Sequence, residues 1–458
     1  MTDIIVGGSS QYTTLQQGIQ AAELSGSAHI IVNPGVYAGT TVLTSADSNI
    51  SITAASPGVT VSGSFVITNA SGITISGLAF QGNGSNTAIT ATGGQFLTVS
   101  GNSFSANGQA VVLDGSSHGT IANNSISNTS LSAIEARDGA NNAIISNNLI
   151  DGSNAASTIG AVWLHGSSDS VITHNQISNT AGAAISLSDF SPPGTTLTQN
   201  NNNTISYNKI FNADNKSEDS GAIYVLGRSQ NPSTNNLITQ NYIGTTGSPG
   251  TMHAVGVYLD DNTSGVTVSK NIIQASPTMS DPWEIHGGSY NVFSGNIFDL
   301  GTGITDFGLF QFDVQDQLPQ GMFKQLDQNL ITGNIFASES LNPHNPGFAD
   351  LTFGIGTNSI SGNDYWSFSG APLNVAGSGP TGDTAAQYTP PAPGPALGLP
   401  DYATWSAPGI GFASIDPFQI GLLPPSTAVP EPASASIFPL CVVALLLLRM
   451  RTARLRHR

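Results

Sequence analysis

Apolar residues in this chain seldom follow a helical period. They arrive as single Ile, Val, Leu or Phe residues set among Ser, Thr, Asn and Gly, which is the pattern of short strands and tight turns. One burst recurs: a β-branched residue, small polar residues, an Asn, any residue, then Ile or Phe. It reads VSGNSF (99–104), IANNSI (121–126), ISNNLI (145–150), ITHNQI (172–177), ISYNKI (205–210), ITQNYI (238–243), VSKNII (268–273), FSGNIF (293–298), ITGNIF (331–336) and ISGNDY (360–365). An earlier copy, ITISGLAF (73–80), carries Leu78 where the Asn would stand.

The marker residues are Asn102, Asn124, Asn148, Asn175, Asn208, Asn241, Asn271, Asn296, Asn334 and Asn363, spaced 22, 24, 27, 33, 33, 30, 25, 38 and 29 residues apart. The shortest spacing suits one coil of three short strands, and the excess maps to inserts at turns. A single coil cannot bury its own apolar residues, so neighbours must stack, ~4.8 Å apart. About a dozen coils give a rod on the order of 55 Å long. An Asn at one turn of every coil is expected to adopt left-handed geometry and to hydrogen-bond its equivalents above and below. The one helical pattern lies at the start, where Leu15, Ile19 and Ala22 share a face. A helix there would cap the open apolar end of the first coil, before the strand and turn IIVNPGVY (30–37).

Composition agrees with this pattern. Charged residues are 9% of the chain and Gly numbers 52, so the ingredients of long helices are scarce while Ile and Val are retained. The net charge of −17 argues against a nucleic-acid partner, which needs clustered Lys and Arg, and more mildly against a strongly polyanionic ligand unless local basic residues or a bound cation offset it. Cys441 is the single cysteine, so no intrachain disulfide or cysteine metal site can form.

A capping helix, then I-x-V-x-P-G-x-Y, then Asn-marked coils together resemble the right-handed parallel β-helix superfamily with a pectate-lyase-like fold. SAPGIGFASIDPFQIGL (406–422) is similar to the closing segment of many bacterial members. The resemblance covers roughly residues 4–423 and implies an all-β solenoid, with a cap over 1–29 and coils over 30–370. It does not name an activity, because that superfamily holds lyases, hydrolases, epimerases, adhesins and tail spikes.

Residues 371–428, including PPAPGPALGLP (390–400), read as a last irregular wrap and linker. VPEPAS (429–434), an apolar stretch to Leu448 and a terminal cluster of Arg449, Arg451, Arg454, Arg456 and Arg458 follow. These three parts in order resemble the PEP-CTERM sorting signal. The resemblance implies export, transient anchoring in the inner membrane through a hydrophobic helix over 433–448, cleavage by an exosortase near Pro430–Glu431, and a final place at the cell surface or outside. The stretch is just long enough to span a bilayer, and the arginines would stay cytoplasmic. Permanent anchoring is the alternative. Export also implies a leader upstream of MTDIIVGG, which runs almost directly into the cap.

One strand per coil follows a second pattern: VVLD (111–114), IEAR (134–137), VWLH (162–165), ISLS (185–188), IYVL (223–226), VYLD (257–260), WEIH (283–286) and FQFD (310–313). Its first and third positions should face the core and its second and fourth should face out. The outward columns are then Val112, Glu135, Trp163, Ser186, Tyr224, Tyr258, Glu284, Gln311 and Asp114, Arg137, His165, Ser188, Leu226, Asp260, His286, Asp313. Rings beside carboxylates and imidazoles suit a sugar, with rings on pyranose faces and acids on hydroxyls.

The densest chemistry lies at 223–288. Asp260, Asp261, Glu284 and His286 are the candidate catalytic residues, supplying acid, base or nucleophile for glycosidic cleavage. Glu135, Arg137, Trp163, His165, Tyr224, Arg228 and Tyr258 are candidate substrate-binding residues. Asp214, Glu218 and Asp219, in the insert after Phe211, are a weaker candidate set for Ca²⁺, with no other cofactor implied.

Each has a plainer reading: Asp260–Asp261 begins a turn, the tyrosines can stack as a ladder, and the histidines can be surface residues. VYLDDN is similar to the I-Y-L-D-D segment of bacterial β-helix proteins presumed to act on carbohydrate. Of the N-T-D, D-D, G-H-G, R-I-K series of polygalacturonase-like hydrolases, only a D-D and an I-H-G-G are present, and epimerase-type D-P-H is missing. A lyase base would have to be Arg137 or Arg228. The expectation is an exported protein acting on a polysaccharide, hydrolase before lyase. The alternative is a non-catalytic protein that binds polysaccharide or builds an exopolysaccharide matrix.

Overall fold

The parallel stacking expected from the repeat is realised as three sheets of 14, 13 and 12 strands, each strand hydrogen-bonded to its counterpart one coil before and after. The structure is a computed structural model. It describes residues 3–26, 28–155, 159–188, 199–217, 219–227, 234–244, 246–248, 253–276, 278–300, 306–311, 326–338, 347–350, 358–367 and Gly421. The chain is a right-handed parallel β-helix, all-β apart from the cap and one short 3₁₀ turn among the described residues. Arg228, Glu218, Asp313, the sorting tail and all of 371–428 except Gly421 lie outside the described residues. No helix among those described is long and apolar enough to cross a membrane.

The cap forms where the Leu15, Ile19, Ala22 face placed it, over Leu15–Ser25, with that face buried. Thr14 and Gln17 close a capping box at its start, and Gly26 ends it in left-handed geometry, φ 64°. Gly18 lets the helix lie directly on the first strand, because a Cβ there would meet Val6 Cγ2 at 2.5 Å.

Inside the rod, one aliphatic or aromatic residue per coil stacks on the next. Ile75, Val99, Ile121, Ile145, Ile172 and Ile205 continue one column in strict register. Phe80 and Phe104 stack with centroids 4.8 Å apart and planes 8° from parallel. That separation is the coil pitch itself.

All nine steps of the expected asparagine ladder form: each marker's Oδ1 accepts both the backbone N–H and the Nδ2 of the marker one coil earlier. The expected backbone geometry needs correction. The left-handed residue is the one before each marker, as at Asn123, Asn147, His174, Tyr207, Gln240 and Lys270, with φ between 54° and 58°. That corner turns the chain so that the following Asn faces the interior, where its amide groups can be satisfied.

A second ladder accompanies the first. Asn203 N–H donates to Asn236 Oδ1, Asn291 N–H to Asn329 Oδ1, and Asn329 N–H to Asn358 Oδ1, at 2.9, 2.9 and 3.0 Å. Each of these stands five residues before a marker, so its signal, N-x-β-x-x-N, was present in the chain. Of the closing segment 406–422, Gly421 donates its N–H to the Tyr207 carbonyl at 2.7 Å.

Candidate active site

The face that carries the outward columns is the sheet of 12 strands, and its register is the expected one over most of its length. Val112, Glu135, Trp163, Ser186, Tyr224, Tyr258 and Glu284 are successive neighbours, and the column extends backwards through Thr90 and Val66 to Val42. The last coil of the four-residue pattern departs from expectation: Glu284 pairs with Leu309 and His286 with Gln311, two residues out of the FQFD alignment. A two-residue slip preserves which side chains face in, so the hydrophobic pattern cannot distinguish the two registers.

Exposure also departs from expectation. At the start of the column Val42 and Val66 are exposed, at 41% and 36%. Further along, Glu135, Ser186, Tyr224, Tyr258 and Glu284 are buried, down to 0% at Glu284. The second position therefore faces away from the core without facing water. Tyr224 and Tyr258, edge to face with centroids 5.4 Å apart, build a small apolar cluster with Ala183, Leu226 and Val255 that is separate from the rod's interior.

Against that cluster the structure gathers Asp260, Asp261 and His286. Asp260 is the last residue of the strand Ala254–Asp260. Strand alternation would turn Asp261 away from it, but the strand has ended, and Asp261 and Asn262 both take positive φ, 41° and 66°. Asp and Asn tolerate that region better than most residues. The turn brings both carboxylates to one ring nitrogen: His286 Nδ1 lies 2.7 Å from Asp260 Oδ1 and 3.9 Å from Asp261 Oδ1.

Asp260 accepts three donors: the Asp261 N–H at 2.7 Å, His286 Nδ1, and the Tyr224 hydroxyl. Burial alone would lower the His286 pKa. The contact with Asp260 and the charges of Asp260, Asp261 and Glu284 outweigh it and push it up to about 9, so the ring is cationic at neutral pH.

Beside this triad lies a second one that includes two residues the sequence did not single out. His253, just before Ala254–Asp260, and Asp281, which opens the next strand, Asp281–His286, converge on Glu284. One ligand atom from each lies within 4.8 Å of the others. His253 Nε2 is 2.7 Å from Glu284 Oε2, while His253 Nδ1 is 3.3 Å from Asp219 Oδ1. Burial pushes the Glu284 carboxyl up, with His253 pulling the other way. Burial lowers His253, but Asp219 and Glu284 more than reverse this, lifting it to about 10. Their position at and before strand starts, outside the four-residue pattern, hid His253 and Asp281 from a column-by-column reading.

The remaining candidates stand outside these two triads, with Asp219 at the edge of the second beside His253. Asp214 is fully buried and Asp219 is 64% exposed, and neither belongs to the convergent groups found among the described residues. Several coils back, Arg137 bridges Asp114 at 2.9 Å and Glu135 at 3.2 Å. Next to it, Trp163 and His165 stack, 4.9 Å apart and 10° from parallel, and Trp163 Nε1 donates to Ser188 Oγ at 2.9 Å. The proposed face thus resolves into two groups, one acidic and imidazole-rich at 219–286 and one at 114–165.

The profile of the family described as "Right handed beta helix region" matches residues 87–273. No curated protein sequence matches the chain. Among solved structures, it is similar to the catalytic domain of a GH87 alpha-1,3-glucanase in complex with nigerose (TM-score 0.50, 15% identity, 79% of this chain and 64% of that one). It is also similar to the mannuronan C-5 epimerase AlgE6 A-module of Azotobacter vinelandii (TM-score 0.53, 13% identity, 77% and 94%). A third is the PL6 family polysaccharide lyase Pedsa3628 from Pseudopedobacter saltans (TM-score 0.55, 13% identity, 83% and 97%). The chain spans less than two thirds of the glucanase, 64% of its length. At these identities the likeness is one of fold.

Proposed function

We propose that this protein cleaves glycosidic bonds in a polysaccharide, at the face built by residues 219–286, and that it works outside the cytoplasm. One observation carries the reading: Asp260, Asp261 and His286, from adjacent coils, meet in a single hydrogen-bonded group on an otherwise sparsely charged rod. His286 is the proton donor to the leaving oxygen, held cationic by Asp260. Asp261, at the same nitrogen, supplies the carboxylate that stabilises developing positive charge or activates water.

Hydrolysis fits better than elimination or epimerisation of a uronate. Those reactions act on a charged sugar carboxylate, which a site holding Asp260, Asp261 and Glu284 together would repel. A net charge of −17 points the same way, toward a neutral polysaccharide. The proteins sharing the fold supply the panel, since one is named as an alpha-1,3-glucanase, one as a mannuronan epimerase and one as a polysaccharide lyase. Export rests on the V-P-E-P, apolar stretch and Arg cluster at 429–458, which resemble a PEP-CTERM signal.

The test is release of reducing ends from alpha-1,3-glucan and other neutral glycans, set against ultraviolet absorbance of unsaturated products from polyuronates. Turnover lost in Asp260→Asn and His286→Gln supports the reading, and turnover unchanged in both overturns it. Burial at 1% and 2% exposure removes Tyr224 and Tyr258 as stacking platforms for a sugar, so a second reading, binding without cleavage, rests on the half-buried Trp163 and His165, stacked 4.9 Å apart. Retention of a glycan with no product by mass spectrometry would establish it.

A further inference from the structure

We infer that His253, Asp281 and Glu284 form a binding site for a divalent first-row metal ion of the Zn²⁺ or Mn²⁺ type. The inference goes beyond glycoside cleavage and does not depend on it.

Three independent features point to an ion. The first is convergence: a ring nitrogen and two carboxylates from adjacent coils lie within 4.8 Å of one another. Ligands about 2.0–2.2 Å from a common centre stand roughly 3–4.4 Å apart, inside that limit. The second is Glu284 itself. It is 0% exposed, and among the described residues His253 is the side chain placed to meet its charge. His253 Nε2 lies 2.7 Å from Oε2, which leaves Oε1 without a partner among the described residues. A buried carboxylate left this way is costly unless a cation completes it.

The third feature is what holds the histidine. His253 Nδ1 faces Asp219 Oδ1 at 3.3 Å, and Tyr258 stands edge to face against the ring, with centroids 5.4 Å apart and planes at 75°. A carboxylate on the far nitrogen fixes the tautomer and aims the near nitrogen, as metal-bound imidazoles require. Asp219 is therefore a positioning residue. The donor set selects the ion: an imidazole with two carboxylates suits Zn²⁺ or Mn²⁺, whereas Ca²⁺ takes six to eight oxygens. The ion replaces the proton between His253 and Glu284, so its binding releases protons.

The test uses the full chain, stripped with chelator and titrated with Zn²⁺, Mn²⁺ and Ca²⁺ by calorimetry in the absence of any polysaccharide. Co²⁺ absorbance reports the ligand geometry. One equivalent of Zn²⁺ or Mn²⁺ should bind, with uptake lost in His253→Ala and in the near-isosteric Glu284→Gln. Asp219→Asn, on an exposed side chain whose replacement spares the fold, should weaken binding roughly 10- to 100-fold. Absence of specific uptake by the wild-type chain overturns the inference, as does equal uptake by Glu284→Gln or a preference for Ca²⁺. Since no sugar is present, a failure here leaves the cleavage reading standing, and hydrolysis that persists in chelator does not touch this one.

Discussion

Replacing Asp214 by Asn should stabilise the rod at alkaline pH and not at acid pH. Asp214 is fully buried, and among the described residues Ser217 is the side chain placed to donate to its carboxylate. Burial raises its pKa from 3.8 to about 7, with Ser217 and the charge of His253 pulling the other way and Asp219 adding to it. The unfolded chain ionises this group near its ordinary value, so between those two pH values the folded state holds the extra proton. Stability therefore falls as pH rises from about 4 to about 7 and stays reduced above that. A shift of about 3 units corresponds to roughly 4 kcal/mol.

Asn has the same shape and no titration, but burial of its amide carries a pH-independent cost of about 1–3 kcal/mol. Comparing wild type and variant at pH 4 and at pH 8 cancels that cost. The variant's relative stability should rise by up to about 4 kcal/mol between the two. With a urea dependence on the order of 3 kcal/mol/M or more, this is a relative midpoint shift of about 1 M, read by circular dichroism. A relative stability that stays constant within about 0.5 kcal/mol would refute the claim that Asp214 is held protonated in the fold.

Three further outcomes are expected. Asn208→Ala, in mid-ladder, removes acceptors for the Asn175 N–H and Nδ2 and donors to the Ile172 and Ser206 carbonyls, and should cost about 3–5 kcal/mol by thermal unfolding. Asn363→Ala, at the last rung described and half-buried, should cost less. His286 should titrate near pH 9 by NMR and fall in Asp260→Asn, where the hydrogen bond and charge of Asp260 are gone while Asp261 and Glu284 still oppose burial. Because its folded pKa is raised, the stability it contributes is complete below about pH 6.5 and lost as pH rises through about 9. Gly18→Ala drives a methyl into Val6 and should loosen the cap by about 1–3 kcal/mol, seen as faster hydrogen exchange in Leu15–Ser25.

The fold was legible because its determinants repeat. Ten asparagines at one turn, each followed two residues later by an apolar or aromatic residue, over-determine the stacking direction, the coil boundary and the ladder. The site was legible only in part, because a single chemical group is not repeated. Period-two alternation correctly placed Glu135, Tyr224, Tyr258 and Glu284 in one outward column, since side-chain parity is local. It could not reveal that the column is buried, which depends on what packs over it. Nor could it see Asp261 turn back beside Asp260, because that follows from two left-handed residues at 261 and 262. His253 and Asp281 sit before and at the starts of strands, where parity says little about direction. The Gln311 register failed because a two-residue slip is invisible to hydrophobic pattern.

The asparagine ladder makes the distance between coils independent of the amount of chain between them. Hand-off from one rung to the next is the same whether 22 or 38 residues intervene. Length added at a turn is therefore not transmitted along the rod, and each insert is free to vary its sequence as an isolated module. For protein engineering this makes a turn insert outside the 219–286 face a grafting position: a foreign loop placed there would alter one coil's periphery while the markers on either side keep their separation.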